Sequence, residues 1–310
     1  MHADETHAWT PHDAQLGEVS LHFLRGRNRQ GPPVMLVHGW PEFSRTWRKN
    51  LPALAERYDV VAPDLRGFGR SSKPGHVCPP QVYADDLLAL ADHLGGQPDG
   101  ASWAGAFTVI GHDVGAFVGQ MLARAHSERV RGLFFFNCPY DGIGGRWLQH
   151  GQFREIWYQT FHQMEWAAEL VGTSRDTCRT YLSHFLRHWS HDPHAFDEDL
   201  EAWVDNFLQP GALQGGFNWY RSIAEERRRA IAGEAPAPQV IHVPAYVLWG
   251  RHDPVLRSEW TDGLEDYFSA LTIELAESAG HFVHFEQPDL ANDRMLAFLE
   301  RVHARAPGPS

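Results

Sequence analysis

A glycine-flanked aspartate at position 113 constrains the fold of this chain more than any other feature. Residues 111–115 read G-H-D-V-G, with an apolar run before them and a helix-like run after them. A strand, a G-x-D-x-G turn and a helix place a reactive side chain at the apex of a strained turn. Because a carboxylate is already anionic at neutral pH, Asp113 can attack carbon without first losing a proton. The turn therefore favours attack on an alkyl carbon with a leaving group, such as an epoxide or a carbon–halogen bond.

Composition and charge exclude several classes of protein. The chain has 310 residues, of which 43% are hydrophobic, enough for one large domain or for a core with an insertion. Its 27 Lys and Arg residues against 39 Asp and Glu give a net charge of -12, so the basic footprint of a nucleic-acid-binding protein is missing. No stretch approaches the ~18 consecutive apolar residues of a membrane span. We expect neither nucleic acid nor a membrane among its partners.

The N-terminal segment and the cysteines bear on cellular location. Residues 1–7 are polar and acidic, unlike a secretory signal peptide. Cys78, Cys138 and Cys178 have neither the spacing of a metal site nor the even number of a disulfide framework, which favours a reducing compartment. We predict a cytoplasmic protein, monomeric or homodimeric, that uses no metal and no cofactor.

Strand-like and helix-like segments alternate along the chain, a pattern typical of a mostly parallel sheet with crossover helices. Most of the strands end near loops rich in Gly, Pro, Asp or Asn, and such carboxyl ends are where open α/β sheets build their sites. The candidate strands are Ser20–Leu24, Val34–His38, Val60–Pro63, Phe107–Gly111, Gly132–Asn137, Ala245–Gly250 and Leu271–Leu275.

The strand pattern stops between Asn137 and Pro244, where the chain reads as helices with many tryptophans. This change predicts a helical cap at residues 139–239, inserted into a core made of residues 1–138 and 240–310. Small residues, prolines and a glycine at 232–239 predict the return linker. The tail at 304–310 is expected to fray.

The turn after the second candidate strand reads His38-Gly39-Trp40-Pro41. Gly and Pro make this turn tight and rigid, so it can present a backbone N–H beside Asp113. The backbone N–H groups of Trp40 and Val114 are the candidates for an oxyanion hole. We also expect His38, Trp40 and Pro41 to contact the substrate. On its own, the turn could be an ordinary end of a strand.

Two motifs near the C-terminus supply an acid and a base. Asp253 follows the apolar strand 245–248 and is suited to orient a histidine, although a capping or turn aspartate is the alternative reading. His281 follows Gly280 in a loop of small residues, and we assign it as the base. His284 is expected to be a packed or capping histidine.

The order Asp113, Asp253, His281 matches the nucleophile–acid–base order of the α/β-hydrolase fold. Together with the motifs at 38–43 and 64–71, it makes the chain resemble the α/β-hydrolase superfamily. The resemblance is to the branch with epoxide hydrolases, haloalkane dehalogenases and haloacetate dehalogenases. It implies an eight-stranded, mostly parallel sheet flanked by helices, with an inserted helical cap. The 64–71 stretch recurs in the family as a structural loop and receives no catalytic role.

Two tyrosines in the predicted cap separate the members of this branch. The segments around Tyr158 and Tyr220 resemble those that hold the ring-opening tyrosines of epoxide hydrolases. When the ring opens, the epoxide oxygen becomes an alkoxide that needs a proton. A phenol with a pKa near ~10 is a suitable donor. For either tyrosine, the alternative is packing within the cap.

Some of the residues typical of the haloalkane and haloacetate dehalogenases are missing from this chain. Haloalkane dehalogenases usually have a tryptophan after the nucleophile, as epoxide hydrolases often do, and here the residue is Val114. Haloacetate dehalogenases use an arginine pair there, which Val114 and Phe117 do not supply. Some dehalogenases take their acid from the end of the preceding strand, but residues 136–138 contain no carboxylate, which leaves Asp253.

These observations predict an epoxide hydrolase, a hydrolase acting on ether bonds. It would convert an apolar epoxide and water to a vicinal diol through an ester on Asp113, with Asp253, His281, Tyr158 and Tyr220 as the other catalytic residues. A haloalkane or haloacid dehalogenase with the same nucleophile is the first alternative. A non-catalytic ligand-binding homologue is the second, and an esterase is a further one.

Overall fold

The computed structural model describes residues 9–149 and 151–304. The expectations for segment 1–7 and for the tail beyond Ala304 concern residues outside these ranges. Among the described residues, no helix combines the length and apolar character needed to span a bilayer.

Eight strands form one sheet in the order β1-β2-β4-β3-β5-β6-β7-β8. Strand β2 is antiparallel to both of its neighbours, and the pairs from β4 to β8 are parallel. The predicted eight-stranded, mostly parallel sheet is therefore confirmed. The strands are β1 (Trp9–Leu16), β2 (Val19–Gly26), β3 (Pro33–Val37), β4 (Asp59–Pro63), β5 (Phe107–His112), β6 (Val130–Phe136), β7 (Ala245–Gly250) and β8 (Leu271–Ala276).

Strand β1 is the one strand for which the sequence showed no candidate. It pairs only with β2, at the edge of the sheet. Most of its side chains are partly or fully exposed, and it contains Pro11, a residue tolerated in edge strands. An edge strand needs no continuous apolar run, so its sequence carries little signal.

The central strands are buried on both faces of the sheet. Every residue of β3, β4 and β7 is buried, and alternation along a strand sends neighbours to opposite faces. In β3, for example, Val34 and Leu36 join one apolar cluster while Met35 and Val37 join the other.

Helices cover both faces. Leu51 and Phe298 show that α1 and α12 pack on one face, and Leu87 and Val118 show that α2 and α3 pack on the other. The core helices are α1 (Leu51–Ala55), α2 (Gln81–Gly95), α3 (Val114–Ala125), α11 (Val283–Glu286) and α12 (Pro288–Ala304).

The chain between β6 and β7 is helical, and its described residues contain no strand of the sheet. We refer to residues 139–239 as the insertion. Residues 234–239, within the expected return linker, have neither helix nor strand. The helices of the insertion are α4 (Gln152–Glu155), α5 (Trp157–Phe161), α6 (Ala167–Gly172), α7 (Arg175–His188), α8 (Leu200–Phe207), α9 (Ala212–Ser222) and α10 (Ala224–Ile231).

The loop at 64–71 supports the insertion. Its Asp64 side chain accepts the backbone N–H groups of Ser44 at 2.7 Å and Arg70 at 2.8 Å. Gly67 has a φ of 86° and packs against α9, where an added Cβ would lie 2.9 Å from the carbonyl oxygen of Gly215. Only glycine fits such an approach with positive φ. These contacts agree with a structural role for the loop.

Candidate active site

Asp113 lies at the apex of a sharp turn between β5 and α3. Its φ is 49° and its ψ is -110°, a conformation that is costly for a residue with a side chain. The flanking glycines make the turn feasible, because a Cβ on Gly115 would overlap the carbonyl group of Val37. A Cβ on Gly111 would lie 2.6 Å from the carbonyl oxygen of Gly115. The turn thus exposes the Asp113 carboxylate beyond the carboxyl end of β5.

Asp253 and His281 meet at the same edge of the sheet. The Nδ1 atom of His281 donates to Oδ2 of Asp253 at 2.7 Å. Its Nε2 atom lies 4.0 Å from Oδ2 of Asp113 and has no hydrogen-bond partner in the described chain. The Asp113 side chain is 17% exposed, while those of His281 and Asp253 are at 1% and 0%. The arrangement can take a proton from a water molecule beside Asp113.

Asp253 is held by three donors besides the histidine. Oδ1 accepts the backbone N–H groups of Val255 at 2.7 Å and Leu256 at 2.9 Å. Oδ2 accepts the side-chain amide of Asn137 at 2.5 Å. Asn137 is a site residue that the sequence analysis noted only as the place where a carboxylate was missing. Its position at the end of β6 was the available signal.

The charges around His281 set its protonation state. Burial lowers the pKa of His281, but the neighbouring Asp253 carboxylate and, to a smaller extent, Asp113 outweigh it and raise the pKa to about 9. The imidazole is therefore protonated at neutral pH in the free protein.

Two backbone N–H groups flank the nucleophile. The Trp40 N–H donates to Oδ1 of Asp113 at 3.1 Å. Val114 is the first residue of α3, so its N–H has no intrahelical acceptor and lies at the positive end of the helix. This pair has the composition of an oxyanion hole.

His38 and Pro41 are not among the residues that line the cavity at Asp113. His38 is fully buried; its Nδ1 donates to the Gly39 carbonyl at 2.8 Å and its Nε2 accepts the Leu65 N–H at 3.0 Å. The carbonyl of Pro41 accepts the Trp203 indole N–H at 2.8 Å. Their contact with substrate, and that of the Trp40 side chain, stay predictions.

Tyr158 on α5 and Tyr220 on α9 line the same cavity as Asp113. Their ring centroids are 5.3 Å apart, and the Trp40 ring stacks on Tyr158 at 5.2 Å. Burial is the main cause that raises the pKa of both tyrosines, and the charge of Asp113 adds to it. Both phenols are thus protonated donors that face the nucleophile.

The cavity that Asp113 shares with the two tyrosines is small. Its volume is about 30 Å³, room for one or two water molecules. Apolar side chains such as Phe117, Trp147 and Trp219 form much of its wall, together with Arg227. A larger surface groove of about 420 Å³ adjoins Phe117, but Asp113, Tyr158 and Tyr220 do not line it. The small cavity is therefore the candidate active site.

The α/β hydrolase fold family model matches residues 32–288. The chain belongs to the α/β hydrolase fold family. Within it, the chain is similar to "Soluble epoxide hydrolase" of Corynebacterium sp. (strain C12), with 31% identity over 94% of this chain and 97% of the relative. It is 29% identical to "Epoxide hydrolase 1" of Caenorhabditis elegans over 94% of this chain and 71% of the relative. The solved structure "Epoxide hydrolase CorEH without ligand" has a TM-score of 0.81 and 27% identity, and the match covers 95% of this chain and 99% of that chain.

A buried polar cluster supports the site of this α/β hydrolase and was missed in the sequence. Glu42 lies 2.6 Å from Nδ1 of His112 and 3.0 Å from Nε2 of His284, and it accepts the Gly39 N–H at 2.8 Å. His112 Nε2 also donates to the carbonyl of His281 at 2.9 Å. The cluster therefore connects the turn at Trp40, the turn at Asp113 and the loop of the base.

The same cluster has ligand atoms of the kind that bind metals. The nearest such atoms of Glu42, His112 and His284 all lie within 4.8 Å of one another. However, both carboxylate oxygens already accept hydrogen bonds, one of them from the Thr46 hydroxyl at 2.6 Å. Burial raises the pKa of Glu42, but the two histidines outweigh it and hold the pKa well below its usual range. His284 is buried, as expected for a packed histidine.

Proposed function

We propose that this chain is an epoxide hydrolase, in which residues 139–239 form a cap over a core of residues 1–138 and 240–310. One observation carries the proposal: the Asp113 carboxylate shares a cavity with two phenol donors and lies 4.0 Å from the imidazole of a buried histidine–aspartate pair. The epoxide hydrolases among the relatives support the same activity. The chemistry requires no metal and no cofactor.

The first step opens the epoxide ring. An Asp113 oxygen attacks one ring carbon, forming an ester C–O bond while the ring C–O bond on that carbon breaks. The electron pair of the broken bond moves to the epoxide oxygen, which takes a proton from Tyr158 or Tyr220. Asp113 and the two tyrosines line the same cavity, so a bound epoxide can meet the carboxylate at a ring carbon and a phenol at its oxygen.

The second step releases the diol. His281, oriented by Asp253, takes a proton from a water molecule, whose oxygen attacks the ester carbonyl carbon of Asp113. The N–H groups of Trp40 and Val114 stabilise the negative charge on the carbonyl oxygen, and each such donor is worth ~10²–10³ in rate. The ester bond then breaks, the second proton of the water passes to the leaving alkoxide, and Asp113 is again a carboxylate. The tyrosine has by then recovered its proton from His281, which is protonated in the free enzyme and again after it has taken the proton of the water. Overall, one epoxide and one water give one vicinal diol.

The apolar wall of the cavity indicates an epoxide with an apolar substituent. Composition and cysteine content continue to favour a cytoplasmic protein that is monomeric or homodimeric.

The proposal is tested by trapping the ester. We expect His281→Gln to form the ester and not hydrolyse it, because Asp113 and the tyrosines are intact while the base is missing. The variant is mixed with an aryl epoxide and, separately, with a matched haloalkane, and intact and peptide masses are measured. The expected result is an adduct on Asp113 with the mass of the whole epoxide. His242→Gln, which changes an exposed histidine remote from the cavity, is the matched control and should turn over without accumulating an adduct.

Other outcomes assign other functions. An alkyl adduct formed from the haloalkane with halide release, and none from the epoxide, indicates a dehalogenase. Saturable binding without an adduct or turnover indicates a ligand-binding protein. Undiminished turnover by Asp113→Asn contradicts the covalent mechanism.

A further inference from the structure

Arg227 brings a positive charge to the active-site cavity. It lies on α10 and lines the same cavity as Asp113 and Tyr158. Its guanidinium carbon lies 4.1 Å from the ring centroid of Trp147. Across residues 9–149 and 151–304, no carboxylate forms an ion pair with it. Arg228, the next residue, is instead exposed and pairs at the surface with Glu225 at 2.7 Å.

The side chain of Gln159 connects Arg227 to Tyr158. Arg227 NH1 donates to Gln159 Oε1 at 3.0 Å, and Gln159 Nε2 donates to the Tyr158 hydroxyl at 3.3 Å. An arginine has donors and no acceptors, so only the amide oxygen can face it. Arg227 therefore determines the orientation of the amide and makes Gln159 present an N–H group to Tyr158.

This orientation determines where the Tyr158 proton points. A phenol has one proton to donate, and Gln159 Nε2 offers that proton no acceptor. The proton is left for an acceptor in the cavity that Tyr158 lines together with Asp113. If the Gln159 amide were flipped, with its oxygen and nitrogen exchanged, the oxygen would face Tyr158 and compete for the same proton.

We propose that Arg227 is a positioning residue that acts through Gln159 to direct the Tyr158 proton at the epoxide oxygen. The inference rests on the proposed function, since it assigns a role in ring opening. Burial and the charge of Asp113 raise the pKa of Tyr158, and the Gln159 hydrogen bond and the Arg227 charge oppose that rise. The cation also favours the negative charge that grows on the epoxide oxygen as the ring opens.

Single-turnover kinetics tests this role, because ester formation and ester hydrolysis are measured separately. Arg227→Met should slow ester formation about tenfold, a part of the ~10²–10⁴ that a positioned general acid contributes. Ester hydrolysis should be unchanged, since Asp253 and His281 are not touched. Arg227→Lys keeps a donor for Gln159 and should recover part of the rate. Arg228→Gln is the matched control on the same helix and should form the ester at the wild-type rate.

The variant Gln159→Glu distinguishes a role of Arg227 in orienting the side chain at position 159 from a role that only stabilises the structure. A carboxylate strengthens the contact with Arg227, so the melting temperature should be equal to or higher than that of the wild type. It offers Tyr158 only acceptors, so it draws the Tyr158 proton away from the cavity. We expect ester formation to slow at least as much as in Arg227→Met. A purely structural role predicts wild-type ester formation in this variant.

These measurements distinguish a failure of the role proposed for Arg227 from a failure of the proposed function. Wild-type rates of ester formation in both Gln159→Glu and Arg227→Met, together with a slow Tyr158→Phe, overturn the role of Arg227 and leave the proposed function intact. If the wild type forms no ester with any epoxide, the proposed function itself fails. Should Arg227→Met not fold, Gln159→Glu and Arg227→Lys decide the question by the same measurement.

Discussion

The proton affinity of His281 depends on the state of Asp113. In the free enzyme, the carboxylates of Asp253 and Asp113 outweigh the effect of burial and raise the pKa of His281 to about 9. In the proposed mechanism, esterification removes the negative charge of Asp113, so the pKa of His281 falls when the ester forms. The imidazole then passes its proton to the tyrosinate left by ring opening and is neutral at the step that needs a base.

We therefore predict that the rate of ester hydrolysis rises with pH and levels off at an apparent pKa below about 9. Single-turnover measurements between pH ~6 and ~10 check this, because they follow ester decay after ester formation is complete. A hydrolysis rate that rises only through pH 9 would show that the Asp113 charge has no influence on His281.

The raised pKa of His281 also makes the stability of the folded protein depend on pH. The folded pKa of about 9 exceeds the ~6.5 of an unfolded histidine. The stabilisation from protonated His281 is therefore fully present below pH ~6.5 and is lost as the pH rises toward 9.

At the scale of the elements, helix α7 begins at a side-chain cap. Ser174 has an extended backbone, and its hydroxyl accepts the Thr177 N–H at 3.1 Å. At the other end of α7, the carbonyl of Trp189 accepts the His281 N–H at 2.7 Å. The helix thus links a surface cap to the loop of the base.

Ser174→Ala should lower the free energy of unfolding by about 1 kcal/mol, because one first-turn N–H loses its acceptor. Urea denaturation provides the measurement. Ser174→Asp is the matched control and should retain the stability, since aspartate is as good a cap and also favours the positive end of the helix. Equal losses in the two variants would contradict the capping role.

At the scale of the whole molecule, a buried carboxylate joins the insertion to the core. Asp199 accepts two hydrogen bonds from Arg48, at 2.9 and 2.5 Å, and lies 3.4 Å from Arg45. The Asp199 side chain is 3% exposed, while that of Arg48 is 19% exposed. Nearby, the Trp203 indole donates to the Pro41 carbonyl, so the same face of the insertion contacts the turn at Trp40.

We predict that Asp199→Asn lowers the free energy of unfolding by about 2 kcal/mol, between the values typical of exposed and of buried ion pairs. Urea denaturation measures the loss, and limited proteolysis should show faster cleavage within residues 139–239. Asp197→Asn is the matched control, because Asp197 is exposed and its ion pairs, with Arg187 and His194, lie within the insertion. A loss as large in Asp197→Asn would show that the junction with the core is not the cause.

The predictable parts of the fold and site have local sequence signals. Strands β4 to β8 end near loops rich in Gly, Pro, Asp or Asn, and Asp113, Asp253 and His281 follow β5, β7 and β8. Strand β1 lacked this signal because its place at the edge depends on the hydrogen bonds that β2 offers. The family and the class of activity predicted from these motifs are confirmed by the comparisons, and the residue roles stay proposals.

The sequence alone predicted the sheet except for β1, the helices between β6 and β7, and the order in which Asp113, Asp253 and His281 follow their strands. These depend on periodicity and on turn residues that lie next to one another in the chain. The tertiary structure decided what surrounds them: Asn137 on Asp253, Glu42 between two histidines, and Arg227 behind Gln159. Such hydrogen bonds join residues that are far apart in sequence. Their donors and acceptors acquire partners only when the folded backbone brings them within about 3 Å.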